Sequence, residues 1–181
     1  MIKTINLIVC LTVCQIAISQ TYFTRTGLTK FKASVEAFEP VEAKNNSTTA
    51  ILKTQTGDIA AQLFINAFKF RVKLMQEHFN ENYMDSDKYP KGVFRGKLKD
   101  FDLSSITTEK EFDLEGSLTI RGAKKEISTK AKIKKDGDNY RLTAAFSVEP
   151  SDFGIKIPKV VSKKIADKIN ITIDYELVEK K

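Results

Sequence analysis

The sequence predicts an all-β, mainly antiparallel protein, built as a lipocalin-like barrel of about eight strands. Apolar and polar residues alternate along most of the chain, which is the pattern of strands with one buried face. Turn residues such as Asp136-Gly137 separate these stretches, so that neighbouring strands can pair as hairpins. Two short helices, near 74–83 and 159–168, interrupt the pattern. A meander of this length closed on itself is the expected architecture.

The first three predicted strands are 30–37, 48–54 and 59–65. The first places its apolar residues on one face, with charged and polar residues between them. Those apolar residues are Phe31, Ala33, Val35 and Ala37. The turn Thr56-Gly57-Asp58 joins the second strand to the third as a hairpin.

The segment Leu74–Tyr83 predicts a short amphipathic helix rather than a strand. Its stripe of residues with a period of 3.6 consists of Leu74, Met75, His78, Phe79 and Asn82. After the helix, Asp85-Ser86-Asp87 has the composition of a turn. Tyr89-Pro90 then forces an extended backbone that leads into the next strand, which carries Phe94.

The remaining predicted strands are 93–101, 112–121, 124–135, 140–148 and 169–178. In the last two, one face is apolar: Tyr140, Leu142, Ala144, Phe146 and Val148, then Ile169, Ile171, Ile173, Tyr175 and Leu177. Between these strands, residues 159–168 have helical spacing, with Val160, Val161, Ile165 and Ala166 on one side. We expect this helix to close one end of the barrel.

Residues 1–20 are predicted to be a secretory signal peptide. They contain one charge, at Lys3, then an apolar run, and small residues near the predicted cleavage site. The run is shorter than the ~20 residues that a membrane-spanning helix needs. We therefore expect an exported protein, periplasmic or extracellular, with residues 21–181 forming a single domain. Lipidation at Cys14 is a weaker alternative, because the bulky Val13 precedes it.

The positive charge, +7 for the chain, has two interpretations. In Lys130-Ala131-Lys132-Ile133-Lys134 the lysines alternate with apolar residues, as on the solvated outer face of a barrel. The second interpretation is attraction to an anionic membrane surface or to a phosphate-bearing ligand. Nucleic acid is not expected as a partner, because basic and aromatic residues do not interleave. The sequence leaves open a homodimer.

The inventory of catalytic residues is small. His78 is the single histidine, and both cysteines lie in the predicted leader. No G-x-S-x-G motif is present, so we expect no enzyme and no cofactor. His78 and Glu81 lie one helical turn apart, but we expect no metal site. Instead His78 is expected to donate a hydrogen bond to a backbone carbonyl near the barrel mouth, or to contact a ligand headgroup.

The order of helix, acidic turn, Tyr89-Pro90 and strand resembles the YceI-like family of bacterial envelope proteins. The segments Gly116–Gly122 and Asp152–Ile155 are similar to a hairpin strand and a late turn of that family. The resemblance spans residues 29–177. It implies a lipocalin-like β-barrel whose ligands are long polyisoprenoid lipids.

The expected ligand is therefore an isoprenoid or another amphiphilic lipid, held in an apolar tunnel. Small inward residues such as Ala33 and Ala61, together with large aromatic ones, favour a cavity over a filled interior. The predicted ligand-binding residues are Phe68, Phe70, Phe79, Phe94, Leu118, Ile120, Leu142, Phe146, Ile173, Tyr175 and His78. The alternative is a structural or adhesive envelope protein with a filled barrel, whose basic surface binds anionic polymers or a partner protein.

Overall fold

A computed structural model describes residues 20–35 and 39–180, and its main element is one antiparallel sheet. The strands are β1 (Thr21–Ser34), β2 (Glu42–Lys53), β3 (Asp58–Phe64), β4 (Lys69–Phe70), β5 (Lys91–Leu98), β6 (Lys110–Ile120), β7 (Ala123–Asp136), β8 (Asn139–Val148) and β9 (Ile165–Glu179). The helices are α1 (Lys73–His78) and α2 (Lys159–Ser162). The predicted leader, with Cys14 and its cleavage site near residues 19–20, lies almost entirely outside the described residues, as does Ala37.

The sheet closes into a barrel, because β1 pairs with β9 on one side and with β2 on the other. Between these two strands the order is β9-β8-β7-β6-β5-β3-β2, and every pairing is antiparallel. The two-residue β4 adds only to the end of β2. Eight long strands therefore form the wall, which confirms the predicted fold class.

β1 begins much earlier than the sequence predicted. Its pairing with both neighbouring strands shifts register between residues 24 and 29, where Thr24, Arg25, Thr26 and Gly27 form an irregular bulge. The bulge breaks the apolar–polar alternation, so this half of the strand has no strand pattern in the sequence. At the other end, Val35 lies beyond the strand and is exposed rather than inward.

The two predicted helices have different outcomes. Residues 74–83 are helical, with α1 continuing into a π-helical turn at Phe79–Tyr83. The second prediction, 159–168, is wrong beyond Ser162, because β9 starts at Ile165 and pairs there with Ser34. Backbone pairing with β1 overrides the helical spacing of the side chains. Val160, predicted to pack inward, is 87% exposed.

The wall of the barrel is interrupted where the segment 65–90 is inserted, and a buried side-chain amide lies at this point. β2 pairs with β3 only over residues 49–53, whereas the beginning of β2, at Ala43 and Lys44, pairs with β4. At the branch lies Asn45, whose side chain is fully buried. Its Nδ2 donates to the carbonyl of Phe64 at 2.9 Å, and its Oδ1 accepts from the amide and the hydroxyl of Ser47, both at 2.8 Å. These bonds replace the interstrand bonds lost at the branch.

One end of the barrel, which we call the filled end, is packed with side chains. The residues buried most completely there are Leu52, Leu98, Ile133, Leu142 and Leu177. The rings of Tyr22 and Tyr140 meet edge to face at 5.0 Å. Ile106, from the loop after β5, belongs to the same cluster. No ligand space remains around Leu142, since this end is closed by packing.

Two glycines opposite one another in β5 and β6 make room for an aromatic ring. Gly96 pairs with Gly116, and the ring of Phe94 lies across both. A Cβ on Gly96 would lie 2.7 Å from Cζ of Phe94. A Cβ on Gly116 would collide with the carbonyl oxygen of Arg95 and with the Cα of Gly96. The glycine pair therefore fixes the position of Phe94 against the inner wall.

We expect Gly116→Ala to lower the free energy of unfolding by about 1–3 kcal/mol, because the added methyl group must displace the backbone or the Phe94 ring. Urea denaturation measures this difference. Ser117→Ala, at the adjacent position of β6, is the control and should change stability much less. Equal stability of Gly116→Ala and the wild type would show that the close approach is not required.

Candidate functional site

A cavity of about 420 Å³ occupies the barrel opposite the filled end. Its walls come from the inner faces of the strands, and at the end away from the filled end its lining also includes residues of the α1 region and of the segment around α2, between which we place its opening. We call this opening the mouth. Residues from the two sides of the mouth include Met75 and His78 on one side and Ile157, Val161 and Lys164 on the other. The barrel is therefore half filled and half open.

An aromatic cluster forms one wall of the cavity. Phe31 of β1 stacks on Phe79 at 5.3 Å and meets Phe68 edge to face at 5.2 Å. Phe70 lies 5.1 Å from Phe79. Only Phe31 comes from a long strand, whereas the other three belong to the inserted segment 65–90. The insertion thus brings aromatic surface to a position that the barrel strands alone do not cover.

The opposite wall depends on a turn that closes a gap in the sheet. β7 and β8 pair only between Ala131–Ala144 and Asp136–Asn139, so their halves nearer the mouth separate. Phe153, from the 3₁₀ turn Pro150–Phe153, is buried at this end and packs with the apolar side chains of that wall. Those wall residues are Leu118, Ile120, Ile127, Phe146, Val148, Ile155, Ile169 and Ile171.

Polar contacts hold this turn over the gap. Lys125 Nζ lies 2.7 Å from Oδ1 of Asp152, and Arg121 Nη1 donates to the carbonyl of Gly154 at 2.9 Å. The hydrogen bond from Lys125 lowers the pKa of the Asp152 carboxyl. Thr129 adds a direct link between the strands, since its hydroxyl donates to the carbonyl of Ala145 at 2.7 Å. The turn that carries Phe153 is therefore tied to the β6–β7 hairpin by two polar contacts.

Three buried hydroxyl groups form the floor of the cavity, beside the filled end. The hydroxyl oxygens of Thr29 and Thr48 are 2.8 Å apart, and Thr29 Oγ1 lies 3.2 Å from the Tyr175 hydroxyl. Burial raises the pKa of Tyr175 to about 12, although its hydrogen bonds with the threonines partly oppose this effect. The floor is thus polar but uncharged at neutral pH.

The bulge in β1 sets the position of the Tyr175 ring. A Cβ on Gly27 would lie 2.6 Å from Cδ1 of that ring, so only glycine permits the contact. The ring packs against the backbone and directs its hydroxyl toward Thr29. The irregular part of β1 therefore shapes the deepest part of the cavity.

The lining carries almost no charge. Among the described residues it contains no aspartate or glutamate, and Lys164 is its one lysine or arginine. His78 also borders the cavity, but it is exposed, and its ring forms no hydrogen bond with any described residue. The hydrogen bond predicted for it is therefore not found in this part of the chain. Lys164 and His78 both lie at the mouth, so the interior suits a neutral apolar chain.

The structure brings most of the predicted site residues together. The cavity is lined by Phe68, Phe70, Phe79, Phe94, Leu118, Ile120, Phe146, Ile173 and Tyr175, with His78 at the mouth. Leu142 is excluded from the lining, because it is fully buried in the filled end. Contact of these residues with a ligand stays a prediction.

Several other residues of the cavity lining were not predicted from the sequence, each for a different reason. Phe31 was placed on the correct face of its strand but not included in the site. Thr29 and Thr48 are polar, and alternation assigns polar residues to the outer face. Phe153 has no strand pattern at all, because it reaches the interior from a 3₁₀ turn.

Within residues 20–35 and 39–180, no three His, Cys, Asp or Glu side chains are grouped as metal ligands would be. In the same part of the chain, no helix combines the length and the apolar character needed to cross a membrane.

Comparisons with known proteins identify the fold independently. The model of the YceI-like domain family matches residues 14–177. A polyisoprenoid binding domain from Saccharophagus degradans has a TM-score of 0.75 at 9% identity, covering 90% of this chain and 99% of that one. BcnA from Burkholderia cenocepacia has a TM-score of 0.69 at 14% identity, covering 83% and 96%. A YceI protein from Campylobacter jejuni has a TM-score of 0.64 at 18% identity, covering 80% and 87%. A search of curated proteins finds no match.

The Tyr175 phenol makes the stability of the protein depend on pH in a defined window. Below pH 10 the phenol is neutral in the folded and unfolded chains, so its contribution is fully present. Between pH 10 and about 12 the unfolded chain releases the proton while the folded chain retains it, so stability falls as pH rises. The shift corresponds to about 3 kcal/mol.

We expect the stability of the wild type relative to Tyr175→Phe to fall by about this amount across that window, as measured by urea unfolding, so that the variant becomes the more stable protein near pH 12. Below pH 10 the variant should be less stable by about 1 kcal/mol, because the hydroxyl contact with Thr29 is lost. A stability difference that does not change between pH 10 and 12 would contradict the burial of a neutral phenol.

Proposed function

The chain belongs to the YceI-like domain family, and on that premise we propose that it binds an isoprenoid or similar amphiphilic lipid inside its barrel. The observation that carries the proposal is the cavity itself, which is apolar on both walls and open at one end. The Saccharophagus degradans domain, whose fold this chain shares, is described as polyisoprenoid binding. The function is binding rather than catalysis, in keeping with the single, exposed imidazole of His78.

The arrangement of polar groups favours one orientation of the ligand. The apolar chain enters the cavity between the aromatic cluster and the wall that contains Phe153. The polar headgroup stays at the mouth, where Lys164 and His78 can contact it. At the floor the three hydroxyl groups already bond to one another, so the end of an apolar chain leaves none of them without a partner.

The binding energy comes from burial of the lipid chain in the apolar cavity. Burying a methylene is worth ~0.8 kcal/mol when it leaves water. Since a free isoprenoid resides in a membrane, the cavity competes with another apolar environment, and the fit of the chain to the walls decides the affinity. Two facing walls of rings and branched aliphatic side chains provide that fit.

We also propose that the protein is exported, with residues 1–20 removed as a signal peptide and residues 21–181 acting as one domain in the periplasm or outside the cell. An exported carrier can move a lipid across an aqueous space, for which a closed barrel wall around an apolar cavity is suited. The rival function, a barrel filled along its length that binds polymers by its surface, does not account for the open half of the interior.

A cavity-blocking variant tests lipid binding. We expect Ile171→Trp to weaken binding of a radiolabelled polyprenol about tenfold or more, because the indole takes the space of at least two methylenes of the ligand. Ile171 lines the cavity between Phe31 and Phe146, whereas its neighbour Thr172 faces outward.

Thr172→Trp is therefore the matched control, since it adds the same bulk outside the barrel and should bind as the wild type does. Circular dichroism establishes that both variants are folded. Unchanged binding by Ile171→Trp would mean that the lipid lies elsewhere.

A further inference from the structure

Positive charge is concentrated around the mouth of the cavity. Two segments form the rim there, 69–77 and 156–164, and together they carry seven basic residues and one acidic residue. The basic residues are Lys69, Arg71, Lys73, Lys156, Lys159, Lys163 and Lys164, and all are exposed. The acidic one, Glu77, lies 3.5 Å from Lys73. The other six basic side chains form no salt bridge with any described residue.

Several lysines elsewhere on the barrel pair with carboxylates. Lys99, Lys125 and Lys130 each lie within 2.7 Å of an acidic oxygen. At the filled end, the hairpin 134–138 has two lysines and two aspartates and so no net charge. At the mouth, the excess of positive charge belongs mainly to the segment 156–164, which has four lysines and no carboxylate, because Glu81, Asp85 and Asp87 offset the basic residues of the inserted segment.

Exposed apolar side chains occur at the same rim. Val160 is 87% exposed and Leu74 is 57% exposed, the two highest values among the large hydrophobic residues described. Val160 lies in α2 between Lys159 and Lys163, and Leu74 follows Lys73 in α1. Their chain neighbours Val161 and Met75 line the cavity. Single exposed apolar side chains scattered over a surface are normal, but two of them beside lysines at the mouth of an apolar cavity form a patch that calls for an explanation.

We propose that the mouth docks onto the surface of an anionic lipid bilayer. Val160 and Leu74 enter the interfacial layer, and the rim lysines contact the anionic headgroups. Apolar residues beside lysines suit the interface of an anionic bilayer, because the acyl chains there are apolar and the adjacent headgroups are negatively charged. A soluble polyanion would use the lysines but would gain nothing from Val160.

This docking extends the proposed function, because the cavity opens on the surface that faces the bilayer. A lipid chain can then pass between membrane and cavity without crossing water. The docking itself does not require a ligand in the cavity, so it can be measured separately.

The absence of tryptophan from the sequence allows a direct test of orientation. In Val160→Trp the indole reports from the rim, and in Val178→Trp it reports from the filled end, where Val178 is 37% exposed. The probe is a vesicle of phosphatidylglycerol and phosphatidylcholine without isoprenoid. We expect the emission of Val160→Trp to shift to shorter wavelength and to be quenched by brominated acyl chains. Val178→Trp should show neither effect.

Charge variants test the electrostatic part by vesicle sedimentation. We expect Lys159→Gln combined with Lys163→Gln to weaken binding to the vesicles roughly tenfold or more. The reason is that each lysine near an anionic membrane surface adds to the free energy of membrane binding. The matched control, Lys134→Gln combined with Lys135→Gln, removes the same charge at the filled end and should bind like the wild type. Vesicles of phosphatidylcholine alone carry no net charge and should bind neither the wild type nor the two double variants.

Several results would overturn the proposal. One is equal weakening by the two charge variants, which would indicate attraction by net charge alone. Another is vesicle binding without any change in Val160→Trp emission, which would indicate a polyanion site. The variant Ile171→Trp distinguishes lipid binding in the cavity from docking on the bilayer. In the sedimentation assay it should bind vesicles like the wild type, although its binding of polyprenol is weakened. Failed docking with intact polyprenol binding would overturn the docking proposal alone.

Discussion

The architecture depends on the fixed width of an eight-stranded barrel, which can be filled by side chains or can hold one slender ligand. In this chain one end is filled by side chains, and the other end contains a cavity. Leucine and isoleucine side chains such as Leu52 and Ile133 meet across the filled end and stabilise the closed wall. Because that end contributes a compact core, the other end can remain open. The floor of hydroxyl groups marks the boundary between the two halves.

The open half needs surfaces that strands alone do not provide. Where β2 leaves β3, Asn45 replaces the missing interstrand bonds and the segment 65–90 brings three phenylalanines to one wall. Where β7 leaves β8, the turn carrying Phe153 fills the other gap. Each departure from a regular barrel therefore supplies one wall of the cavity. The inserted segment and the chain that follows the Phe153 turn border the mouth and carry its lysines, which connects the proposed lipid binding to the proposed membrane contact.

The sequence predicted those parts of the molecule in which side-chain alternation is undisturbed. β8 and β9 have the predicted inner faces, from Tyr140 to Val148 and from Ile169 to Leu177, because nothing interrupts their period of two. Prediction failed where long-range pairing decides the structure. The helical spacing of 163–168 yields to pairing with β1, and the bulge at 24–27 hides the start of that strand. The polar floor was also missed, since inward threonines depend on a hydrogen-bond partner from a distant strand.

Native mass spectrometry of the protein, purified without detergent from the cells that produce it, tests most directly whether a lipid is held in the open half of the barrel. We predict one stoichiometric adduct, which organic extraction identifies as an isoprenoid or related amphiphile and which survives high salt. A mass equal to that of the polypeptide alone, both as purified and after incubation with polyisoprenoids, would contradict it. The surface-binding alternative would then be favoured.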